Sequence, residues 1–118
     1  MALLQIKNLR LRTHIGYNDH EVNKLQDVII SYRIDYDSTQ AQLTDDPALS
    51  LDYKAINKNI IALVEESRFN LIESLAHQIL NIIMTYSPVE DASVEVVKPN
   101  ALRFADSVSV TLSAHRHD

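Results

Sequence analysis

Apolar and polar residues alternate along residues 3–13, with Leu4, Ile6, Leu9 and Leu11 set against Gln5, Lys7, Arg10 and Arg12, so this stretch reads as a strand. The parity slips near Asn8-Leu9, which predicts an irregularity there. Residues 27–37 alternate without a break: Val28, Ile30, Tyr32, Ile34 and Tyr36 share one face, Ile29, Ser31, Arg33 and Asp35 the other. A polar connection over 38–50 follows, and then the period changes. Tyr53, Ile56, Ile60, Leu63 and Val64 form a helical stripe opposite Lys54, Lys58 and Glu65. A second helix carries Ile72, Leu75, Ala76, Ile79, Ile82 and Ile83, and Pro88 stands beyond its end. Strands over 92–98 and 106–115 close the chain. In the last, Val108, Val110 and Leu112 alternate with Ser107, Ser109, Thr111 and Ser113, a face of small hydroxyls that suits close packing or a water-lined interior.

The order strand, strand, helix, helix, strand, strand predicts an α+β fold, a four-stranded antiparallel sheet with two helices on one face. Its other face and both outer edges are left open, and neither outer strand has a blunting proline in its interior. Edge-to-edge association of copies into a larger barrel is the physical expectation. The 118 residues are read as one domain, 1–118, with a modest core. The apolar start, Met1 to Leu4, gives way at once to Gln5 and Lys7, too short for a signal-peptide core or a membrane span. A cytoplasmic protein without a membrane partner is expected. With no cysteine, disulfides, a thiolate nucleophile and a Cys-ligated zinc are excluded. The net charge of −5 and the scatter of the 11 Lys and Arg residues argue against a nucleic-acid surface.

Gly16 is the single glycine of the chain, between the first two strands, where a positive φ or a close contact is its expected use. Four side chains able to do chemistry stand at element ends: Glu21 after the glycine turn, Tyr53 and Glu73 at the two helix starts, and Lys98 at the end of the third strand. Taken singly, each has an ordinary explanation as a loop acid, a core aromatic, a helix cap and a strand-end cation. Glu73 has two readings. It completes a capping box with Asn70, or it faces a pocket and accepts two N–H groups from a guanidine-like ligand edge. His77, one turn on, is expected to pair with Glu73. The run His115-Arg116-His117-Asp118 reads as a frayed end rather than a metal site.

Together these residues have a recognisable spacing. Gly16 with Glu21 and Gln26, then Leu51-Asp52-Tyr53, Asn70-Leu71-Ile72-Glu73-Ser74-Leu75-Ala76 and Val96-Val97-Lys98 resemble the dihydroneopterin aldolase/epimerase family of tunnelling-fold pterin enzymes over nearly the whole chain. Aldolases of the family usually carry a Pro-Gly turn after the lysine and an aromatic-His pair before the loop glycine. Here Pro99-Asn100-Ala101-Leu102-Arg103-Phe104-Ala105-Asp106 and His14-Ile15 stand instead and, with Asn8-Leu9-Arg10-Leu11-Arg12-Thr13, resemble the epimerase branch.

The resemblance implies a 7,8-dihydropterin substrate anchored by Glu73 beside Ile72, with Lys98 as general acid/base, Tyr53 relaying a proton and Glu21 ordering the side-chain hydroxyls or a water. It implies inversion of the 2′ carbon of dihydroneopterin triphosphate by retro-aldol cleavage and re-addition, in sites shared between subunits of a homo-octamer made of two tetramers. The ring imine takes up the electrons of the broken bond, so no cofactor and no metal are expected, only proton transfers. Arg10, Arg12, Lys24 and above all Arg103 are the candidate phosphate contacts. Two other readings stand beside this one: an aldolase releasing glycolaldehyde, and a non-catalytic oligomeric pterin-binding protein.

Overall fold

Each alternating segment pairs with its neighbour in a computed structural model that describes residues 1–116. Strand β1 (Ala2–Ile15) and β2 (Leu25–Tyr36) form a hairpin, and β4 (Val89–Pro99) and β5 (Ser107–His115) a second one, joined side by side through β2 and β4. The expected irregularity is a bulge. Ile6 faces Tyr32 and Leu9 faces Ile30, so β1 spends one residue more than β2, with Asn8 at φ 58 and its N–H donating to Ser31 Oγ at 3.0 Å. That extra residue is why Leu4 and Ile6 face the helices together with Leu9 and Leu11 despite their different parity. A second slip, between Asp35 and Tyr36, does the same for Val89, three residues before where the sequence pattern starts the strand.

Helix α1 (Thr39–Thr44) and a 3₁₀ turn (Pro47–Leu49) occupy the stretch read as a polar connection; neither buries a residue, so no apolar stripe announces them. Helix α2 (Tyr53–Glu66) starts at Asp52, whose carboxylate accepts from Ala55 N at 3.0 Å, and it buries Ile56, Ile60 and Val64. Helix α3 (Ile72–Met84) buries Ile72, Leu75, Ala76, Ile79, Leu80 and Ile83. Both lie on the sheet face formed by Val28, Ile30, Tyr32, Ile34, Val94 and Val96. Thr13, fully buried, donates to Val64 O at 2.5 Å and ties β1 to the end of α2. The Tyr32 hydroxyl donates to Asn57 Oδ1 at 2.9 Å, and burial raises its pKa to about 12.

Three details depart from the sequence pattern. Between the helices, Arg68–Phe69 forms a two-residue strand β3, parallel to His14–Ile15, so the four antiparallel strands gain a fifth in the order β3-β1-β2-β4-β5. Two residues are too few to show a period. Asn70 does not cap α3: Leu71 is at the N-cap position, with no side-chain bond. Nor is Arg116 frayed. Its guanidinium donates to Val89 O at 2.6 Å, Met84 O at 2.7 Å and Tyr86 O at 3.1 Å, satisfying carbonyls from the last residue of α3 to the first of β4. His115 pairs with Asp91, while His117 and Asp118 lie outside the described residues.

Candidate active site

The chain leaves β1 through Gly16, whose N–H donates to Phe69 O at 2.9 Å and whose φ is +117. Both expected uses of the glycine are realised. The loop over 17–24 folds back, with Glu21 N–H donating to Asn18 O at 2.8 Å, and lays the Glu21 carboxylate against the Gly16 α-carbon. Any Cβ at position 16 would collide with that carboxylate.

Lys98, one residue from the end of β4, reaches the same spot. Its Nζ stands 2.6 Å from Glu21 Oε2, and the two side chains retain 13% and 10% of their exposure. Asn18 Nδ2 donates to Glu21 Oε1 at 2.8 Å, and Gln26 Nε2, which also donates to Ile15 O, lies 3.4 Å from Oε2. The hydrogen bond from Lys98 outweighs the cost of burial and, with Asn18 and Gln26, lowers the Glu21 pKa to about 2. The result is a charged pair held largely out of water at one end of the sheet, with Gln26 and Lys98 fixed on strands and Asn18 in the loop turn. Such a pair can pass a proton to or from a hydroxyl placed beside the amine. Asn18 was missed in the sequence; an Asn in a glycine-led turn, three residues before an acid, was the available signal.

Glu73 begins α3 at that end. Helix α3 starts two residues beyond β3, and β3 pairs with the last two residues of β1. Its carboxylate is exposed and makes no hydrogen bond or ion pair among the described residues. His77 lies 3.3 Å from Asn81 instead of pairing with it. The capping box is therefore excluded, and so is the need for an internal partner, because water solvates this charge. The carboxylate is free to meet a ligand. Ile72 is 8% exposed with its side chain in the core, which leaves only its main chain for contact.

Tyr53 is elsewhere. It is 46% exposed rather than a core aromatic and shares a surface hollow with Ile6, Asn57 and Ile61. Ile6 pairs with Tyr32, whereas Lys98 follows Val97, which pairs with Ile29. Three strand residues, at least about 10 Å, separate the two positions within one chain. Arg103 lies on the exposed loop between β4 and β5, its guanidinium 5.5 Å from the centroid of the Phe104 ring, itself fully exposed. Among the described residues, no three His, Asp or Glu side chains converge as a metal set.

A family model described as dihydroneopterin aldolase matches residues 4–113. The chain is 47% identical over 116 residues to a dihydroneopterin triphosphate 2′-epimerase of Pseudomonas aeruginosa, covering 98% of this chain and 94% of that protein. It is 45% identical over 115 residues to the Escherichia coli K12 protein of the same name, covering 98% and 96%. The crystal structure of E. coli dihydroneopterin aldolase in complex with neopterin superposes with a TM-score of 0.90 at 26% identity, covering 97% of this chain and 99% of that one.

Proposed function

The chain belongs to the dihydroneopterin aldolase family, and from that premise we propose that it binds a dihydropterin over the Glu21–Lys98 pair and inverts the 2′ carbon of dihydroneopterin triphosphate. The observation that carries this is the 2.6 Å ion pair packed on Gly16, at the sheet end where the unpartnered Glu73 begins α3. Similarity favours epimerisation over plain cleavage, since the relatives named as epimerases are 45% and 47% identical, whereas the E. coli aldolase structure is 26% identical.

In this reading Glu73 accepts two N–H groups from the pyrimidine edge of the pterin, and the main chain at Ile72 lines the ring. The 2′ hydroxyl lies against Lys98, with Glu21 holding the amine and a side-chain hydroxyl or water in place. Lys98, entering the step as the neutral amine, takes the hydroxyl proton and becomes the ammonium that Glu21 holds; a carbonyl forms at C2′, the bond between C1′ and C2′ breaks, and its electron pair moves into the ring imine. The aldehyde fragment turns over, C1′ adds to its other face, and the proton returns to oxygen. No electron is gained or lost overall. Escape of the fragment gives the aldolase outcome.

Tyr53 lies too far from Lys98 in its own chain to act there, so the Tyr53 that relays the proton belongs to a neighbouring copy. The free edges support this: among the described residues, β5 is unpaired on its outer side, and β3 covers only the last two residues of β1. A homo-oligomer, up to an octamer of two tetramers, and a cytoplasmic location complete the proposal. No helix among the described residues is long and apolar enough to cross a membrane.

Incubation with dihydroneopterin and with its triphosphate, separating epimer from glycolaldehyde products, tests the reaction. Epimer from the triphosphate is expected; glycolaldehyde as the main product assigns the aldolase, and no turnover of either assigns a binding protein. Arg103 is proposed as one phosphate contact. Its replacement by Ala is expected to lower kcat/KM for the triphosphate, relative to that for unphosphorylated dihydroneopterin, by roughly ten-fold.

A further inference from the structure

Several negative charges need more than one loop arginine, and a chain of net charge −5 has few places to offer them. One is a hollow of about 400 Å³ across the end of the open sheet face, bordered by Arg10 and Arg12 of β1, Asp27 and Ile29 of β2, and Pro99 and Asn100 past Lys98. Arg10 makes no hydrogen bond or ion pair among the described residues. Arg12 is loosely held, with Nε 3.4 Å from Asp27 Oδ1 and a terminal nitrogen 3.4 Å from Leu25 O, and the pair remains mostly exposed. Two residues apart on one strand, Arg10 and Arg12 share a face, their backbone positions about 7 Å apart. That spacing lets both forks engage neighbouring phosphates, for which guanidinium geometry is well suited.

We infer that this hollow seats the triphosphate of the substrate, an inference that rests on the epimerase reading above. The register sets the distance. Arg10 pairs with Ile29, and Ile29 pairs with Val97, the neighbour of Lys98, so the arginine lies two strand spacings, about 10 Å, from the proposed reaction centre. Lys98 shares the parity of Val96 and faces the helix side, while the hollow opens on the other face. The two meet over the end of the sheet, where Asn100, at φ 62, turns the chain away from β4. A phosphate chain leaving the 3′ carbon crosses that rim. Asp27 is the opposing charge in the hollow. It holds Arg12 in place and weakens the local attraction for anions.

Calorimetric titration of the assembled protein with inorganic tripolyphosphate tests the seat, alongside turnover of both dihydroneopterin and its triphosphate. Arg10→Ala is expected to weaken tripolyphosphate binding ten-fold or more, and to lower the ratio of kcat/KM for the triphosphate to that for dihydroneopterin by a similar factor. Asp27→Asn should move both quantities the other way, a sign that general damage to the fold does not produce. Equal tripolyphosphate affinity in wild type and Arg10→Ala, or an equal loss on both substrates, overturns the inference. A wild type that releases glycolaldehyde instead of epimer overturns the functional reading, yet the tripolyphosphate titration still decides the hollow: binding lost in Arg10→Ala supports it, and binding retained refutes it.

Discussion

Glu21 carries its charge in a place where water no longer stabilises it, and Lys98 does so instead. Its pKa of about 2 in the folded protein lies below the ordinary 4.5, so it contributes stability that is fully present above pH 4.5 and is lost as pH falls toward 2. At about 1.4 kcal/mol per unit this is of order 3 kcal/mol. Over that window, at fixed protein concentration, the unfolding free energy of wild type should fall by that much more than that of Glu21→Gln. Parallel curves would show the pair to be energetically idle. Chemistry and anchoring should separate as well. Lys98→Ala is expected to abolish epimerisation and cleavage while pterin binding stays measurable. Glu73→Gln should first weaken binding, by roughly 2 to 4 kcal/mol, because one arm of a charge-assisted pair is replaced by a mismatched amide. Fluorescence titration with neopterin distinguishes them, and unchanged affinity in Glu73→Gln would reduce that residue to a solvated surface acid.

The two long helices begin differently, although both were legible as amphipathic stripes. Asp52 caps α2 through Ala55 N, whereas α3 starts at Leu71 without a side-chain cap. Asp52→Ala should therefore cost about 1 kcal/mol in urea unfolding, and Asn70→Ala less than about 0.5 kcal/mol. A comparable loss from Asn70→Ala would restore the capping box and with it a structural duty for Glu73. Among the strands, the bulge at Asn8 was readable because parity on both sides of it was long enough to compare. The slip at Asp35–Tyr36 was not, since β2 ends there.

At the scale of the whole molecule the chain is elongated, 53 × 24 × 24 Å, with a radius of gyration of 15.7 Å against about 13.5 Å for a compact chain of this length. Among the described residues, none covers its polar sheet face or pairs with the outer edge at β5. Such edges are managed by pairing with another copy. Light scattering of the active species should give a symmetric assembly larger than a dimer, and specific activity should vanish on dilution to the monomer, because the proposed site takes Tyr53 from one copy and Lys98 from another. Full activity in a monomer would refute the shared site.

By itself the sequence determined the strands and helices whose period was long enough to read, the helix-covered face of the sheet, the place of the bulge, and the special use of Gly16. It also carried the family, through residues scattered over nearly the whole chain. Tertiary structure alone decided the rest, because proximity between distant residues depends on register and packing that no local period encodes. Glu21 and Lys98, 77 positions apart, touch only because a glycine turn lays one against the end of the strand that bears the other. Tyr53 is exposed and remote from them in its own chain, a placement that follows from how α2 packs on the sheet and not from its local pattern. Two-residue β3 has no pattern to read, and it is β3 that sets where α3, and therefore Glu73, begins.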